Sequence, residues 1–317
     1  MDKHPQSTSS AKRVPGAISA LVAVRNEERN IARCLEALSF CDEVIVLDSH
    51  STDATVAIAE SCGAKVVPFT YQGGYPKKRQ WALDEGLASS EWILLIDADE
   101  VVSPELAAEL VRIAQSKTNH SAFLCRKTFH FQGQRFQFGG FSHRAVNFFR
   151  NGSARFEQTV VDPPKQQDME VHERVIVDGT VGLLHGLLIH DDFKDLEAYI
   201  ARHNYYSTWE ARLRAQHLRT GLWGSESIRA SPFGDSQERR RWLKSIVIRI
   251  PVEPLCWFSY HYFLRLGFLE GKAGFLAARL RANYIADVRA KLRELRMVPR
   301  QPAGNARLRF ASPASES

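Results

Sequence analysis

A chain of 317 residues, 44% aliphatic or aromatic and 25% charged, with a formal net charge of +6, has the length and composition of a globular protein with a sizeable core, not of a disordered or fibrous one. Five scattered cysteines (34, 41, 62, 125 and 256) with no Cys-X-X-Cys argue against a disulfide framework and a thiolate zinc site, and suit a reducing cytoplasm. No run of about 18 uncharged apolar residues is present, and Met1 to Gly16 lack the apolar centre of a secretory signal.

In chain order, the first third alternates strand and helix. Residues 18–24 predict a strand. Asn26 is placed to cap the helix that follows, with Glu27 and Glu28 favoured by the dipole in its first turn. Ile31, Cys34, Leu35 and Leu38 mark one face of that helix. Residues 44–47 predict a second strand ending at Asp48, and Ser51 or Thr52 is placed to cap a helix that stops at Gly63. A short strand at 65–69 and a helix near 77–88 lead into the apolar run 92–96, which closes on Asp97-Ala98-Asp99-Glu100. The alternation predicts an α/β fold on a mostly parallel sheet with right-handed crossovers. Its strand ends present Asn26/Glu27, Asp48 and Asp97/Asp99 along one edge.

Asp97 and Asp99 stand at i and i+2, so both carboxylates project to one side of an extended segment. Open α/β sheets bind ligands at the carboxyl ends of their strands. Paired carboxylates there suit a hard divalent cation, Mg or Mn, with a diphosphate supplying further oxygens. The other reading is a solvated pair of acids at a strand end.

The pieces Val24-Arg25-Asn26-Glu27-Glu28, Asp48-Ser49-His50-Ser51-Thr52-Asp53 and Asp97-Ala98-Asp99-Glu100 resemble the family 2 inverting glycosyltransferases of the GT-A fold. Residues 77–83 followed by 92–100, with Val171-His172-Glu173-Arg174 later, resemble the lipopolysaccharide-core β-glucosyltransferase branch. The resemblance covers residues 17–210, with weaker echoes at 267–275. It implies a GT-A domain at 16–213, divided into a nucleotide-sugar half (16–105) and an acceptor half (106–213). Gly221, Gly224, Ser225, Ser227, Ser231, Pro232 and Gly234 mark 214–240 as a linker to a helical region at 241–297. The ends, 1–15 and 298–317, read as disordered.

The resemblance further implies transfer of a hexose, with glucose the family's usual sugar, from a UDP-linked nucleotide sugar to a lipopolysaccharide-core or other membrane-linked glycan. Asp99 is then the direct ligand of the divalent cation, and Asp97 touches the ribose or reaches the cation through water. His190, after the apolar residues 187–189, completes the metal shell, with His185 a weaker alternative. Asp48 reads base and ribose, Val24, Asn26 and Glu27 line the nucleotide-sugar pocket, and Lys77, Lys78 or Arg79 reaches the diphosphate or the uracil. An inverting transfer needs a base for the acceptor hydroxyl. That role falls to Glu173, with Asp178 or Asp191 next in line, while His172 and Arg174 orient it or bind phosphate. Bland alternatives stay open: a cap for Asn26, a dipole acid for Glu27, a solvated loop for Lys77 to Arg79, a structural His190 and a surface Glu173.

The acceptor side falls in 125–160, rich in Phe and Arg, where sugar faces stack on aromatics and cations read phosphorylated glycans. The chain departs from the family here. In place of Trp-Tyr-Pro-Asp and then Arg-Leu-Phe stand Phe141-Ser142-His143 and Asn147-Phe148-Phe149, with Arg144 the substitute cation.

Residues 239–317 carry 16 Lys and Arg against five Asp and Glu, so the remainder of the chain is net acidic. Trp242, Ile246, Trp257, Phe258, Tyr260, Tyr262, Phe263, Phe268 and Phe275 are interleaved with Arg239 to Arg241, Lys244, Arg249, Arg265, Arg279 and Arg281. Such helices either lie in the interface of an anionic bilayer or pack their aromatics on the catalytic domain. The first reading predicts a peripheral protein on the cytoplasmic face of the inner membrane. No nucleic-acid-binding motif is present. Two other classes are a nucleotidyltransferase, disfavoured because Val24-Arg25-Asn26-Glu27 contains no phosphate-loop glycine, and a non-enzymatic glycan- or membrane-binding module, disfavoured by the intact acids.

Overall fold

The computed structural model describes residues 13–159, 168, 170, 173–190, 195–224, 227–234 and 236–297. The expected disordered ends, His172 and Asp191 lie outside the described residues, apart from 13–15. The elements in chain order are β1 (Val14–Val24), α1 (Ile31–Glu36), β2 (Glu43–Asp48), α2 (Thr55–Ser61), β3 (Lys65–Pro68), α3 (Lys78–Asp84), β4 (Ser90–Asp97), β5 (Glu100–Val102), α4 (Pro104–Gln115), β6 (His120–Lys127), β7 (His130–Phe131), β8 (Gln134–Arg135), β9 (His143–Arg150), β10 (Ala154–Phe156), β11 (Val175–Val177) and β12 (Thr180–His190). Helices α5 (Leu196–Thr220), α6 (Ser236–Val247), α7 (Glu253–Ser259) and α8 (Gly271–Met297) complete it, with a π-helical turn at Tyr260–Leu264 and a 3-10 turn at Gly267–Glu270.

The central strands are apolar throughout because both faces of the sheet are covered. Ile18, Ala20, Val22 and Val24 of β1 face α1, α2 and α4 through Ile31, Cys34, Ala59, Leu106 and Leu110. Leu21 faces the other way and joins Ile45, Ile93 and Leu95 over Ala82 of α3. Trp92 stacks on Phe148 at 4.7 Å, and both are fully buried.

The eight-stranded sheet has the order β3-β2-β1-β4-β9-β6-β12-β5. Strands β3, β2, β1 and β4 are parallel, as are β6 and β12. Strand β9 runs antiparallel between β4 and β6, and β5 antiparallel beside β12. The carboxyl ends of β1, β2, β4, β6 and β12 thus form one edge.

Local expectations are corrected at several points. Asn26 is not a cap: its backbone is left-handed at φ +56°, α1 starts at Ile31, and Asn30 takes the cap position. Instead Asn26 Oδ1 accepts from Thr52 N at 2.8 Å, and Glu28 accepts from Ala54 N at 3.1 Å, which stitches the loops after β1 and β2 together. Glu27 and Glu28 therefore precede the helix. Neither Ser51 nor Thr52 caps α2, which begins at Thr55 with Asp53 accepting from Thr55 N at 3.0 Å. Helix α3 ends at Asp84, short of 88. Helix α5 continues to Thr220, past the boundary placed at 213, and Trp223 beyond it is buried.

The C-terminal helices are held by buried charge. Arg214 of α5 bonds Glu210 at 2.8 Å and Glu253 of α7 at 2.7 Å, Lys244 of α6 reaches Glu210 at 3.0 Å, and Arg289 of α8 reaches Glu253 at 3.4 Å. Arg241 donates to Glu157 at 2.5 Å, which ties α6 to the catalytic domain. Tyr284, Ile285, Val288 and Leu292 of α8 close over Ala211 of α5. Part of the basic aromatic region thus packs, as the second reading expected. No helix among the described residues is long and apolar enough to cross a membrane.

Candidate active site

The site forms where the carboxyl edge of the sheet meets the chain that follows β4. Asp97 ends β4 and Glu100 opens β5, so the acidic tetrapeptide makes the turn between two strands of the same sheet. β5 pairs antiparallel with β12, which sets His190 directly opposite Glu100. Gly186 allows β12 to approach α4 this closely, because a Cβ there would fall 2.4 Å from Leu106 Cα. His190 Nε2 consequently stands 3.3 Å from Asp99 Oδ2. Asp99 Oδ1 is buried and has no hydrogen-bond partner among the described residues.

Asp97 and Asp99 do not share an environment. Asp97 Oδ1 takes the Arg79 guanidinium, and Lys127, at the end of β6, stands 3.9 Å from Oδ2. Lys127 also lies 2.5 Å from Glu100, which is 1% exposed and accepts from Asp97 N at 3.0 Å. Burial pushes the Asp97 carboxyl up, but Arg79, Lys127 and His190 outweigh it and hold it at about 2. Burial raises Glu100, which Lys127 only partly offsets. A group whose pKa is depressed by folding stabilises fully above its unfolded value of 3.8, and that contribution is lost as pH falls through about 2. In Arg79→Gln the largest lowering influence on Asp97 is gone, so its pKa rises and the stabilisation it contributes above pH 3.8 shrinks. The acid-unfolding midpoint, followed by circular dichroism, is therefore expected to rise; an unchanged midpoint would show that Arg79 does not hold Asp97 ionised.

The donor-side residues are brought to the same edge. Asp48 is buried, and its oxygens accept from Ser51 N at 3.1 Å and Ser51 Oγ at 2.6 Å, which shapes the loop after β2. Glu27 accepts from Asn30 at 2.8 Å, and Thr55 accepts from Glu27 N at 2.7 Å. The Val24 carbonyl accepts from Lys78 Nζ at 2.9 Å and Ser49 N at 3.2 Å. Lys78, fully buried, pairs with Asp168 at 3.3 Å, and Ser49 donates to the same carboxylate. Glu170 accepts from Arg79 N and Gln80 N at the start of α3. These contacts turn the basic stretch 77–79 inward rather than leaving it a solvated loop.

Glu173 lies in a separate buried knot. Its Oε1 accepts from Lys77 Nζ at 2.8 Å, Tyr75 OH at 2.8 Å and Thr159 Oγ1 at 3.3 Å. Both members of the Lys77–Glu173 pair have fully buried side chains, and the Lys77 ammonium sits 4.6 Å over the Trp209 ring of α5. Burial raises the Glu173 carboxyl, but Lys77, then Tyr75, hold it below the ordinary carboxylate range. Arg174 N donates to Glu157 at 3.0 Å. Arg144 is exposed on β9, whereas Asn147 turns inward to donate to Leu95 O at 2.8 Å. Asp178 pairs with Arg155 on the surface, and His185 bonds Glu109, apart from the acidic turn.

Residues 19–168 match the model of the family Glycosyl transferase family 2. An uncharacterized glycosyltransferase of Rickettsia felis is 29% identical over 282 residues, covering 87% of this chain and 89% of that one. The lipopolysaccharide core biosynthesis glycosyltransferase LpsC of Rhizobium meliloti is 26% identical over 302 residues, covering 90% and 95%. The chain carries a family 2 glycosyltransferase domain. Among solved structures, glucosyl-3-phosphoglycerate synthase of Mycobacterium tuberculosis with Mn2+, UDP and glucosyl-3-phosphoglycerate is 26% identical over 37% of this chain and 45% of that one, at a TM-score of 0.30. That likeness is too partial for residue-by-residue transfer.

The chain is thus a glycosyltransferase enzyme built on a mostly parallel α/β sheet, and the nucleotidyltransferase and non-enzymatic readings lapse. Sequence reasoning missed Lys127, Tyr75 and Asp168 as neighbours of the acidic residues. Lys127 had a signal: it ends the apolar stretch 122–125, a strand end like those of Asp48 and Asp97, but basic. Tyr75 and Asp168 had none, because their partners lie 98 and 119 residues away.

Proposed function

We propose that this glycosyltransferase is an inverting, metal-dependent enzyme. It moves a hexose, glucose by family likeness, from a UDP-linked sugar to a lipopolysaccharide-core or other membrane-linked glycan on the cytoplasmic face of the inner membrane. The observation that carries the metal-dependent reading is the buried, unpartnered Asp99 Oδ1 beside His190 at the carboxyl edge of the sheet. An oxygen so placed is costly unless something binds it. Among the described residues no group of three or more His, Cys, Asp or Glu is placed to hold a metal ion by itself. A cation there would rest on Asp99 and His190, with its remaining ligands supplied from outside the chain. A bound Mg or Mn would neutralise the leaving diphosphate as a Lewis acid.

The chain's own residues supply the rest. Asp99 and His190 would hold the cation, and Asp97, with Arg79 and Lys127, sets the charge beside it. Asp48, Glu27, Asn26 and Val24 shape the nucleotide side, and Arg79, beside Asp97, stands behind the diphosphate, while Lys77 is committed to Glu173. Glu173 takes the acceptor hydroxyl proton as the acceptor oxygen bonds to the anomeric carbon, while the bond from that carbon to the diphosphate oxygen breaks and the nucleoside diphosphate leaves. Arg144 and Arg174 stand on the acceptor side. The homologous LpsC is named for lipopolysaccharide core biosynthesis, which supports the acceptor class.

The test is release of UDP from UDP-glucose, UDP-galactose and UDP-N-acetylglucosamine with Mn present and after chelation. One UDP-sugar is expected to be hydrolysed slowly in Mn and not after EDTA. Equal rates with and without chelator would end the metal-dependent reading.

A further inference from the structure

We infer that the apolar face built by α7, the π-helical and 3-10 turns and the start of α8 is a bilayer-docking surface selective for anionic lipid, coupled rigidly to the aromatic loop at the acceptor side. This rests on the proposed membrane-linked acceptor and names the surface that meets it. Leu255, Phe263, Leu264, Phe268, Leu269 and Phe275 are 44–76% exposed. The aromatic members are contiguous, not scattered. Phe258 lies 5.8 Å from Phe275, and Tyr262 lies 5.6 Å from Phe275 and 6.3 Å from Phe268, while Phe263 meets both Phe258 and Tyr262. An apolar patch of this kind, with no helix among the described residues long and apolar enough to cross a membrane, marks an interaction surface.

Charge identifies the occupant. Between residues 239 and 281 the only acids are Glu253 and Glu270, and both are buried. Glu253 is used by Arg214, Arg289 and the Trp257 indole, and Glu270 by Gln134 and two backbone amides. Arg239, Arg240, Arg249, Arg265, Lys272 and Arg279 are exposed. Arg265 sits within the apolar turn, and Lys272, Phe275 and Arg279 recur at i, i+3 and i+7 along α8, so apolar and basic groups share one side. A surface with exposed aromatics, exposed cations and no exposed acid complements an anionic bilayer, and a protein partner would not select against every acid.

The same turns grip the acceptor-side loop. Glu270 Oε1 accepts from Gln137 N at 2.6 Å and Phe138 N at 2.7 Å, and its Oε2 from Gln134 at 2.6 Å. Gly139 N donates to Arg265 O at 2.8 Å, and His261 stacks on Phe141 at 4.4 Å and bonds Gly139 O at 2.6 Å. At the root of the loop, His130 Nδ1 lies 3.1 Å from the His190 carbonyl. Docking the patch therefore fixes the loop, and the cation ligand His190 behind it, at a set distance from the membrane.

The experiment is flotation of the full chain with phosphatidylcholine vesicles, with and without one-third phosphatidylglycerol, alongside UDP binding with Mn by calorimetry. Wild type is expected to float with the anionic vesicles at low salt only, with each cation contributing roughly fivefold to the partition. Phe263→Glu/Phe268→Glu, both exposed positions, is expected to lose at least tenfold in flotation with UDP binding and melting temperature unchanged. Arg265→Gln/Lys272→Gln/Arg279→Gln is expected to lose the preference for anionic lipid. A wild type that ignores anionic vesicles at low salt, or a double variant that floats as well as wild type, overturns the proposal. So does a wild type that sediments as a dimer which the double variant abolishes. Failure of flotation with UDP-sugar hydrolysis intact would remove this surface and leave the glycosyltransferase reading standing; loss of hydrolysis in wild type would strike that reading instead.

Discussion

Asp99→Asn is expected to reduce glycosyl transfer by at least about a thousandfold, or ~4 kcal/mol of transition-state stabilisation, with the fold intact. The substitution keeps the size of the side chain and replaces one carboxylate oxygen by an amide. Asp99 Oδ1 has no hydrogen-bond partner among the described residues, so no internal contact of that oxygen is broken. The site instead loses the charge that holds a divalent cation beside His190. UDP binding should then lose its dependence on Mn, and the melting temperature should stay within a few degrees of wild type. Near-normal transfer by the variant would remove Asp99 from the metal site. Asp97→Asn is expected to behave differently, because Asp97 already holds Arg79 and lies near Lys127. That variant should lose stability as well as activity.

The second large effect is at Glu173. Glu173→Gln is expected to abolish transfer while UDP and Mn still bind, since the group lies away from the acidic turn and the amide cannot take a proton. The difficulty is that Glu173 is also half of a buried ion pair, and breaking such a pair costs ~3–5 kcal/mol when a charge is stranded. Loss of activity alone would not separate a base from a structural anchor. Tyr75→Phe does. It removes one of the hydrogen bonds that lower the Glu173 pKa and leaves Lys77 in place. If Glu173 is the base, the acidic limb of the pH–rate profile moves to higher pH in Tyr75→Phe, because a less stabilised carboxylate is protonated sooner. An acidic limb that stays put, with Glu173→Gln still active, would remove Glu173 as the base, and Asp178, paired with Arg155 on the surface, does not replace it.

The sequence by itself determined the four strands of the first hundred residues and where each one ends. An apolar run such as 92–96 is legible because both faces of the sheet are covered, and the acids that close it are legible because a strand end returns the chain to water. That local record placed Asp48, Asp97 and Asp99 along one edge. It failed at Asn26, where cap chemistry and left-handed turn chemistry call for the same residue type and only the neighbouring loop, through Thr52, decided between them. It could not find Lys127 beside Glu100, or the Lys77–Glu173 pair, whose members are 96 residues apart. It could not divide the basic aromatic residues between packed and exposed: the fold pins Arg241 and Lys244 inward by acids and leaves Phe263 and Phe268 outside. The physical reason is the same in each case. Periodicity reports which face of an element is apolar, but not which element lies beside it. The insertion of antiparallel β9 and the antiparallel pairing of β5 with β12, which together bring His190 to Asp99, exist only in the assembled sheet.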